Sequence, residues 1–112
     1  MEQNKIEAYH FIESKVLLDI KRISAKYLQE KSFFSFLLYK NRKSIKYIAR
    51  LSYAVHNLPI FLENGDMDEF DEDAFWSNID KLANDFDDIE TTNYRALFER
   101  CLKREKVNIL EH

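Results

Sequence analysis

The chain has 112 residues, with 17 Lys and Arg against 20 Asp and Glu, so its formal net charge is −3. One glycine and one proline leave few positions for tight turns, and a single cysteine cannot form an internal disulfide. Length and composition therefore predict one domain and argue against a β-rich or disulfide-stapled fold. Nine Phe, six Tyr and one Trp supply large apolar areas for a compact core.

The first predicted helix spans roughly residues 3–30. Its apolar residues recur at steps of three, four or seven, which places them in one stripe along a helix. The stripe contains Ile6, Tyr9, Val16, Ile20, Ile23 and Tyr27, and it is widened by Ile12, Leu17 and Leu28. We expect this face to pack on the core.

The second predicted helix spans roughly residues 33–58, with a break allowed near Asn41. It begins within the apolar run SFFSFLLY, for which Ser32 is available as an N-cap. Pro59 is expected to end it, because the residue before a proline is pushed out of helical geometry. Its apolar side contains Ile45, Ile48, Leu51, Ala54, Val55 and Leu58.

A third helix is predicted over roughly residues 71–87. Asp71 is the expected N-cap, and Phe70 is expected to pack on Phe75 as a hydrophobic staple. The apolar stripe behind the cap contains Phe75, Ile79, Leu82, Ala83 and Phe86, with Trp76 beside it.

A fourth helix is predicted over roughly residues 92–107, capped by Thr92 or Asn93. Its inward-facing residues are Tyr94, Leu97, Phe98, Cys101 and Leu102. Short connections between four amphipathic helices predict an all-α fold, an antiparallel bundle. The bundle is expected to occupy residues 1–109, because residues 110–112 match the start of a vector-encoded histidine tag.

No apolar run follows the charged first ten residues, and no stretch approaches the ~18 apolar residues of a membrane span. We therefore expect a cytoplasmic protein without a secretory signal or a membrane partner.

Charge is unevenly distributed along the chain. Residues 1–58 carry 11 basic against 5 acidic side chains, or +6, whereas residues 59–112 carry 6 against 15, or −9. Such a chain either pairs its own halves or presents two surfaces of opposite sign. Pairing of these surfaces between two chains would give a homodimer.

The acidic belt, defined as residues 63–90, raises the question of function. Asp71, Glu72 and Asp73 have a structural role at a helix start. The acids from residue 85 to residue 90 either oppose the negative end of a helix dipole or already belong to a loop. The predicted partner-binding residues are Asp66, Asp68, Glu69, Asp85, Asp87 and Asp88.

The basic half offers an alternative, a face that contacts phosphates. Clustered cations bind a nucleic-acid backbone, and aromatic residues such as Tyr39 and Tyr47 could stack on bases. The candidate residues are Lys40, Arg42, Lys43, Lys46 and Arg50. A solvated helix face has the same pattern, and the acidic half would repel phosphates, so this alternative is not preferred.

Catalytic and metal sites find little support. No window has the glycine at position six and the glutamate at position twelve of an EF-hand. Glu7 and His10 have the spacing of one ligand pair of a di-metal bundle, but the second pair is missing. His56 is expected to meet the last carbonyls of the second helix, and Cys101, on an apolar stripe, is expected to be inert. We predict no catalytic residue, metal or cofactor; a metal-dependent helical-bundle enzyme is a remote alternative.

The preferred hypothesis is a small, non-enzymatic interaction or inhibitory protein. It would dock a basic partner through the acidic belt, because opposite charges steer association.

Overall fold

A computed structural model describes the backbone of residues 2–29, 39–64, 70–87 and 91–111, and the side chains of residues 4–26, 42–63, 70–87 and 91–111. Within these ranges the chain is helical and contains no strand, which confirms the predicted all-α bundle. The five helices are α1 (Glu2–Gln29), α2 (Tyr39–Ala54), α3 (Leu58–Asn64), α4 (Glu72–Asp85) and α5 (Tyr94–Leu102). None of the described helices is both long and apolar enough to cross a bilayer.

The longest helix, α1, lies against α2, α3 and α5, and α4 packs on α2. Its bounds agree with the predicted helix, and Tyr9, Ile12 and Val16 are fully buried. Leu17, however, is 60% exposed, so the prediction that it widens the apolar stripe is wrong. One helical step turns Leu17 about 100° away from Val16, which is enough to move it into solvent.

The second predicted helix is divided in the structure. α2 ends at Ala54, a turn follows, and Pro59 is the second residue of α3 rather than the point at which a helix stops. The Phe61 N–H donates to the Asn57 carbonyl at 3.2 Å, so Pro59 lies in the first turn of α3. Backbone N–H groups there have no partner within the helix, so a proline is tolerated.

The apolar side of α2 also differs from the prediction. Tyr47 and Leu51 are buried, whereas Ile45 is 48% exposed, so the stripe that reaches the core begins two residues later than predicted. α2 runs through Asn41, so the break that the sequence allowed there does not occur. The predicted portion before it, residues 33–38, lies outside the described residues.

The start of α4 confirms the predicted cap and staple. The Asp71 carboxylate accepts from the Ala74 N–H at 3.0 Å, and the rings of Phe70 and Phe75 lie 5.6 Å apart. Phe75, Trp76, Ile79 and Leu82 are buried within the helix, as is Phe86 just beyond it. Ala83, which was predicted to share this stripe, is exposed.

α5 is shorter than predicted and ends at Leu102 instead of near residue 107. Its N-cap is Asn93, one of the two residues predicted for that position. At the other end, Arg104 and Glu105 donate to the carbonyls of Cys101 and Arg100, the pattern of a Schellman motif. Arg104 takes the left-handed position of this motif, with φ of 59°, and so ends the helix.

Tyr9 is the centre of the core. Its ring lies within 4.5 to 6.3 Å, centroid to centroid, of five other aromatic rings, which belong to Phe61, Phe70, Phe75, Trp76 and Phe98. Most of these contacts are edge-on or tilted, as the quadrupoles of aromatic rings prefer. One side chain of α1 thus joins α3, α4 and α5.

The Tyr9 hydroxyl is also fully used. It donates to Glu72 Oε2 at 2.7 Å and accepts from Trp76 Nε1 at 3.1 Å. Lys5 Nζ binds the other Glu72 oxygen at 2.9 Å. A polar chain therefore fixes the start of α4 on α1, and burial followed by the Glu72 hydrogen bond raises the pKa of Tyr9.

A second polar cluster is buried between α1 and the start of α5. Asp19 Oδ2 accepts hydrogen bonds from the hydroxyls of Thr92 at 2.7 Å and Tyr94 at 2.6 Å. The Lys15 ammonium, one turn earlier on α1, lies 3.2 Å from Asp19 Oδ1 and is fully buried. The two hydroxyl hydrogen bonds span more than 70 residues of sequence and hold α5 in register with α1.

The two charges of this cluster are not equally satisfied. Asp19 has two hydroxyl donors, with the Arg22 guanidinium 4.0 Å away. The Lys15 ammonium lies within ion-pair distance of Asp19, but it forms no hydrogen bond of good geometry with any described residue. Its stability in the core therefore depends on the negative charge of Asp19, because an uncompensated buried ammonium is strongly disfavoured.

Substitutions at this pair should have unequal effects. Asp19→Asn leaves the buried Lys15 charge without a counter-ion and should lower the free energy of unfolding by about 3 to 5 kcal/mol. Lys15→Met removes the poorly bonded ammonium while Asp19 keeps its hydroxyl donors, so the loss should be about 1 kcal/mol or less. Urea unfolding measures both, with Asp80→Asn in an exposed ion pair as the control. Equal losses at residues 15 and 19 would contradict the assignment.

The buried tyrosines should make the protein sensitive to alkali. Burial raises the pKa of Tyr47 to about 12, against about 10 in an unfolded chain. Above pH 10 the unfolded state loses a phenolic proton that the folded state keeps, so stability should fall as the pH rises through the folded pKa. The urea midpoint should drop between pH 8 and pH 11, and Tyr47→Phe should reduce that drop whereas Tyr53→Phe, at an exposed site, should not. An unchanged drop in Tyr47→Phe would refute this role.

Candidate protein-binding surface

Only part of the predicted partner-binding set lies in the described structure. Asp85 and Asp87 are exposed at the end of α4. The four other predicted residues, Asp66, Asp68, Glu69 and Asp88, lie outside the described residues. The described part of the acidic belt lies on α3, on α4 and at their ends.

Asp85 is engaged within the chain. Its Oδ2 accepts from Arg50 Nη1 at 2.8 Å, and the Arg50 guanidinium lies 5.3 Å from the centroid of the Phe86 ring. This pair links α2 to the last residue of α4. It also explains why a carboxylate is tolerated at the negative end of the helix dipole, since the arginine compensates it.

Other belt acids also have partners. Asp71 caps α4, Glu72 binds Lys5 and Tyr9, and Asp80 binds Arg95 at 3.1 Å. The remaining described acids of the belt are exposed and form no ion pair among the described residues: Glu63, Asp73 and Asp87. Among the described belt acids, these three carboxylates are the ones open to a partner.

Two residues of the predicted nucleic-acid face are not free to contact nucleic acid. Tyr47 is buried against Phe86 and cannot stack on a base, and Arg50 is held by Asp85. Arg42 and Lys46 are exposed one helical turn apart, while Lys43 is half-buried and takes part in an interaction of its own. The side chain of Lys40 lies outside the described residues.

A groove runs along the surface where α2 and α3 meet α4. It consists of two cavities, of about 430 and 400 Å³, that share Tyr53, Ala54 and Asn78 in their walls. The first has an aromatic wall formed by Phe61, Phe70 and Phe75. The second lies toward the Arg50–Asp85 pair and is also lined by Lys81.

Two large apolar side chains of this groove are open to solvent. Tyr53 is 72% exposed and Ile60 is 60% exposed, and both line the first cavity. The His56 ring stacks on Tyr53 with centroids 5.3 Å apart. His56 Nδ1 donates to the Tyr53 carbonyl at 2.8 Å, because a carbonyl can only accept. The predicted contact of His56 with the end of α2 is thus confirmed.

Sequence reasoning missed this groove, although a signal was present. Tyr53 lies two residues beyond Leu51 and hence off the buried stripe of α2, so an aromatic side chain was due to face solvent. Ile60 could not be placed, because α3 was not predicted.

The residues considered for catalysis or metal binding do not assemble. His10 is exposed on α1, and among the described residues no three His, Cys, Asp or Glu side chains come together as metal ligands. Cys101 is half-buried against the core, and burial raises the pKa of its thiol despite the opposing effect of Arg100.

Comparison of the chain with protein-family models, with curated proteins and with solved structures found no match.

The Cys101 thiol should react slowly in the folded protein. Because its pKa is raised, the thiolate fraction at neutral pH is reduced, and labelling by iodoacetamide should be slower than in urea. Because the folded protein has the higher thiol pKa, its labelling rate should begin to increase at a higher pH than the labelling rate in urea. A cysteine placed at exposed Ser52 in a Cys101→Ser background is the control and should react fast in the folded state. Equal native rates at residues 52 and 101 would show that burial does not protect this thiol.

Proposed function

We propose that this protein is a small, non-enzymatic interaction or inhibitory module that binds a basic surface of another protein through its acidic belt. The observation that carries the proposal is the contrast among the described belt acids. Four of them are used within the fold, while Glu63, Asp73 and Asp87 are exposed and have no ion-pair partner among the residues that the structure describes.

Uncompensated surface carboxylates favour association with a positively charged partner. They raise the rate of encounter, and they fix orientation at the rim of an interface more than they add raw affinity. The effect is screened over about 8 Å at physiological ionic strength, so binding should weaken with salt.

The competing proposals have weaker support. Nucleic-acid binding could not use Arg50, which forms an internal ion pair, or Tyr47, which is buried in the core. A homodimer held by the basic residues of α2 and the acids at the end of α4 could not use Arg50 and Asp85, because these two residues pair with each other within one chain.

Affinity capture from the native host, with mild crosslinking and quantitative mass spectrometry, tests the proposal. The test variant carries Glu63→Lys, Asp73→Lys and Asp87→Lys. The matched control carries Glu13→Lys, Glu99→Lys and Glu105→Lys, which changes the net charge by the same amount on other elements. Circular dichroism verifies that both variants keep their helical content.

We expect basic proteins to be recovered with the wild type and the control, and about tenfold less of them with the belt variant. Recovery should also fall as salt is raised. Equal recovery with both variants, or enrichment of nucleic acid instead of protein, would refute the proposed function.

A further inference from the structure

We infer that the groove between α2, α3 and α4 binds a short peptide segment of the partner, which inserts a large apolar side chain into the aromatic cavity and places a Lys or Arg beside Asp71. This inference rests on the proposed function, and it names the segment by which a basic partner is anchored.

The cavity is suited to an apolar side chain. Its volume of about 430 Å³ lies within the range of binding pockets. Phe61 and Phe70 stack in its wall with centroids 4.4 Å apart, and Phe75 lies beside Phe70. Exposed Tyr53 and Ile60 extend this apolar surface into solvent, where covering them with a ligand side chain is favourable.

The wall of the cavity is preorganised. The Tyr53 ring is stacked on His56, and the His56 ring is in turn held by a hydrogen bond to the Tyr53 carbonyl. Phe61, Phe70 and Phe75 are held by edge-on contacts with Tyr9. A ligand therefore need not order these side chains, which reduces the entropic cost of binding.

Charge selects the polar flank of the peptide. Among the described residues that line the aromatic cavity, Asp71 is the only one with a Lys, Arg, Asp or Glu side chain. Its Oδ1 caps α4, whereas its Oδ2 forms no hydrogen bond with a described residue. A cation next to the apolar anchor can bind Oδ2 without disturbing the cap.

The groove sets the length of the segment. From Asp71 to Asp85 it follows α4 for about 21 Å at 1.5 Å per residue, which an extended peptide spans with roughly six residues. The far end holds the neutral Arg50–Asp85 pair and Lys81, so the cationic residue of the peptide belongs at the Asp71 end.

Panning a random dodecapeptide display library against the full chain tests the inference. The selected peptides should share a large apolar residue followed or preceded closely by Lys or Arg. The tightest peptide is then synthesised, and its Kd is measured by fluorescence polarisation against the wild type and four variants.

Two variants alter the groove, and two are their matched controls. Ala74→Gln fills the mouth of the cavity from α4, and Ala25→Gln makes the same change at an exposed alanine of α1. Asp71→Asn removes the charge but keeps a capping side chain, and Glu99→Gln makes the same charge change at an exposed residue of α5, outside the groove and the acidic belt.

We expect Ala74→Gln to weaken binding at least tenfold and Asp71→Asn to weaken it about three- to fivefold, with Ala25→Gln and Glu99→Gln within twofold of the wild type. Failure to select any peptide, or equal affinities for all variants, would overturn the inference. So would sedimentation showing a dimer that Ala74→Gln dissociates, because the occupant would then be a second copy of this chain.

The two proposals can fail separately. If the belt variant abolishes capture of basic proteins from the host while Ala74→Gln does not affect it, the groove inference fails and the proposed function stands. If the peptide binds in the groove but the belt variant captures the same proteins as the control, the proposed function fails.

Discussion

The packing of Tyr9 is the interaction on which the remaining structure depends. Its ring touches rings from α3, α4 and α5, and its hydroxyl joins Glu72 to the Trp76 indole. Loss of this side chain would uncouple three helices at once. The aromatic wall of the groove is the outer side of the same cluster, so the shape of the candidate binding surface is set by the core rather than by loops.

The buried polar cluster lies farther along α1, near its middle. Asp19 fixes Thr92 and Tyr94, and Tyr47 from α2 lies next to Tyr94. Buried charges of this kind contribute little net stability, but they penalise any packing in which the partners are separated. Tyr9 and Asp19 therefore have different roles. Aromatic packing around Tyr9 stabilises the fold, and the polar cluster around Asp19 defines how α1, α2 and α5 are aligned.

α4 connects the two proposals through its opposite sides. Asp71, Asn78 and Asp85 line the groove, while Asp73, Asp80 and Asp87 recur every seven residues on an exposed stripe. A spacing of seven is close to two helical turns, so Asp73 and Asp80 are nearly aligned on α4, and Asp87 follows just beyond the end of the helix. A basic partner would therefore contact α4 from two sides, with an apolar anchor in the groove and with the acids governing encounter and orientation.

The sequence by itself determined the all-α class, the extent of α1 and α4, and the caps at Asp71 and Asn93, because these depend on side chains within one helical turn. It placed Asp85 and Asp87 at the end of α4, but it could not reveal that Asp85 is paired with Arg50, 35 residues away. Periodicity did not identify Lys15 and Asp19 as buried. Both fall on the apolar stripe of α1, but charged side chains are usually exposed. Only the tertiary structure decided which charges were satisfied, which aromatic residues were left in solvent and where the groove formed, because each depends on the faces that distant helices bring together.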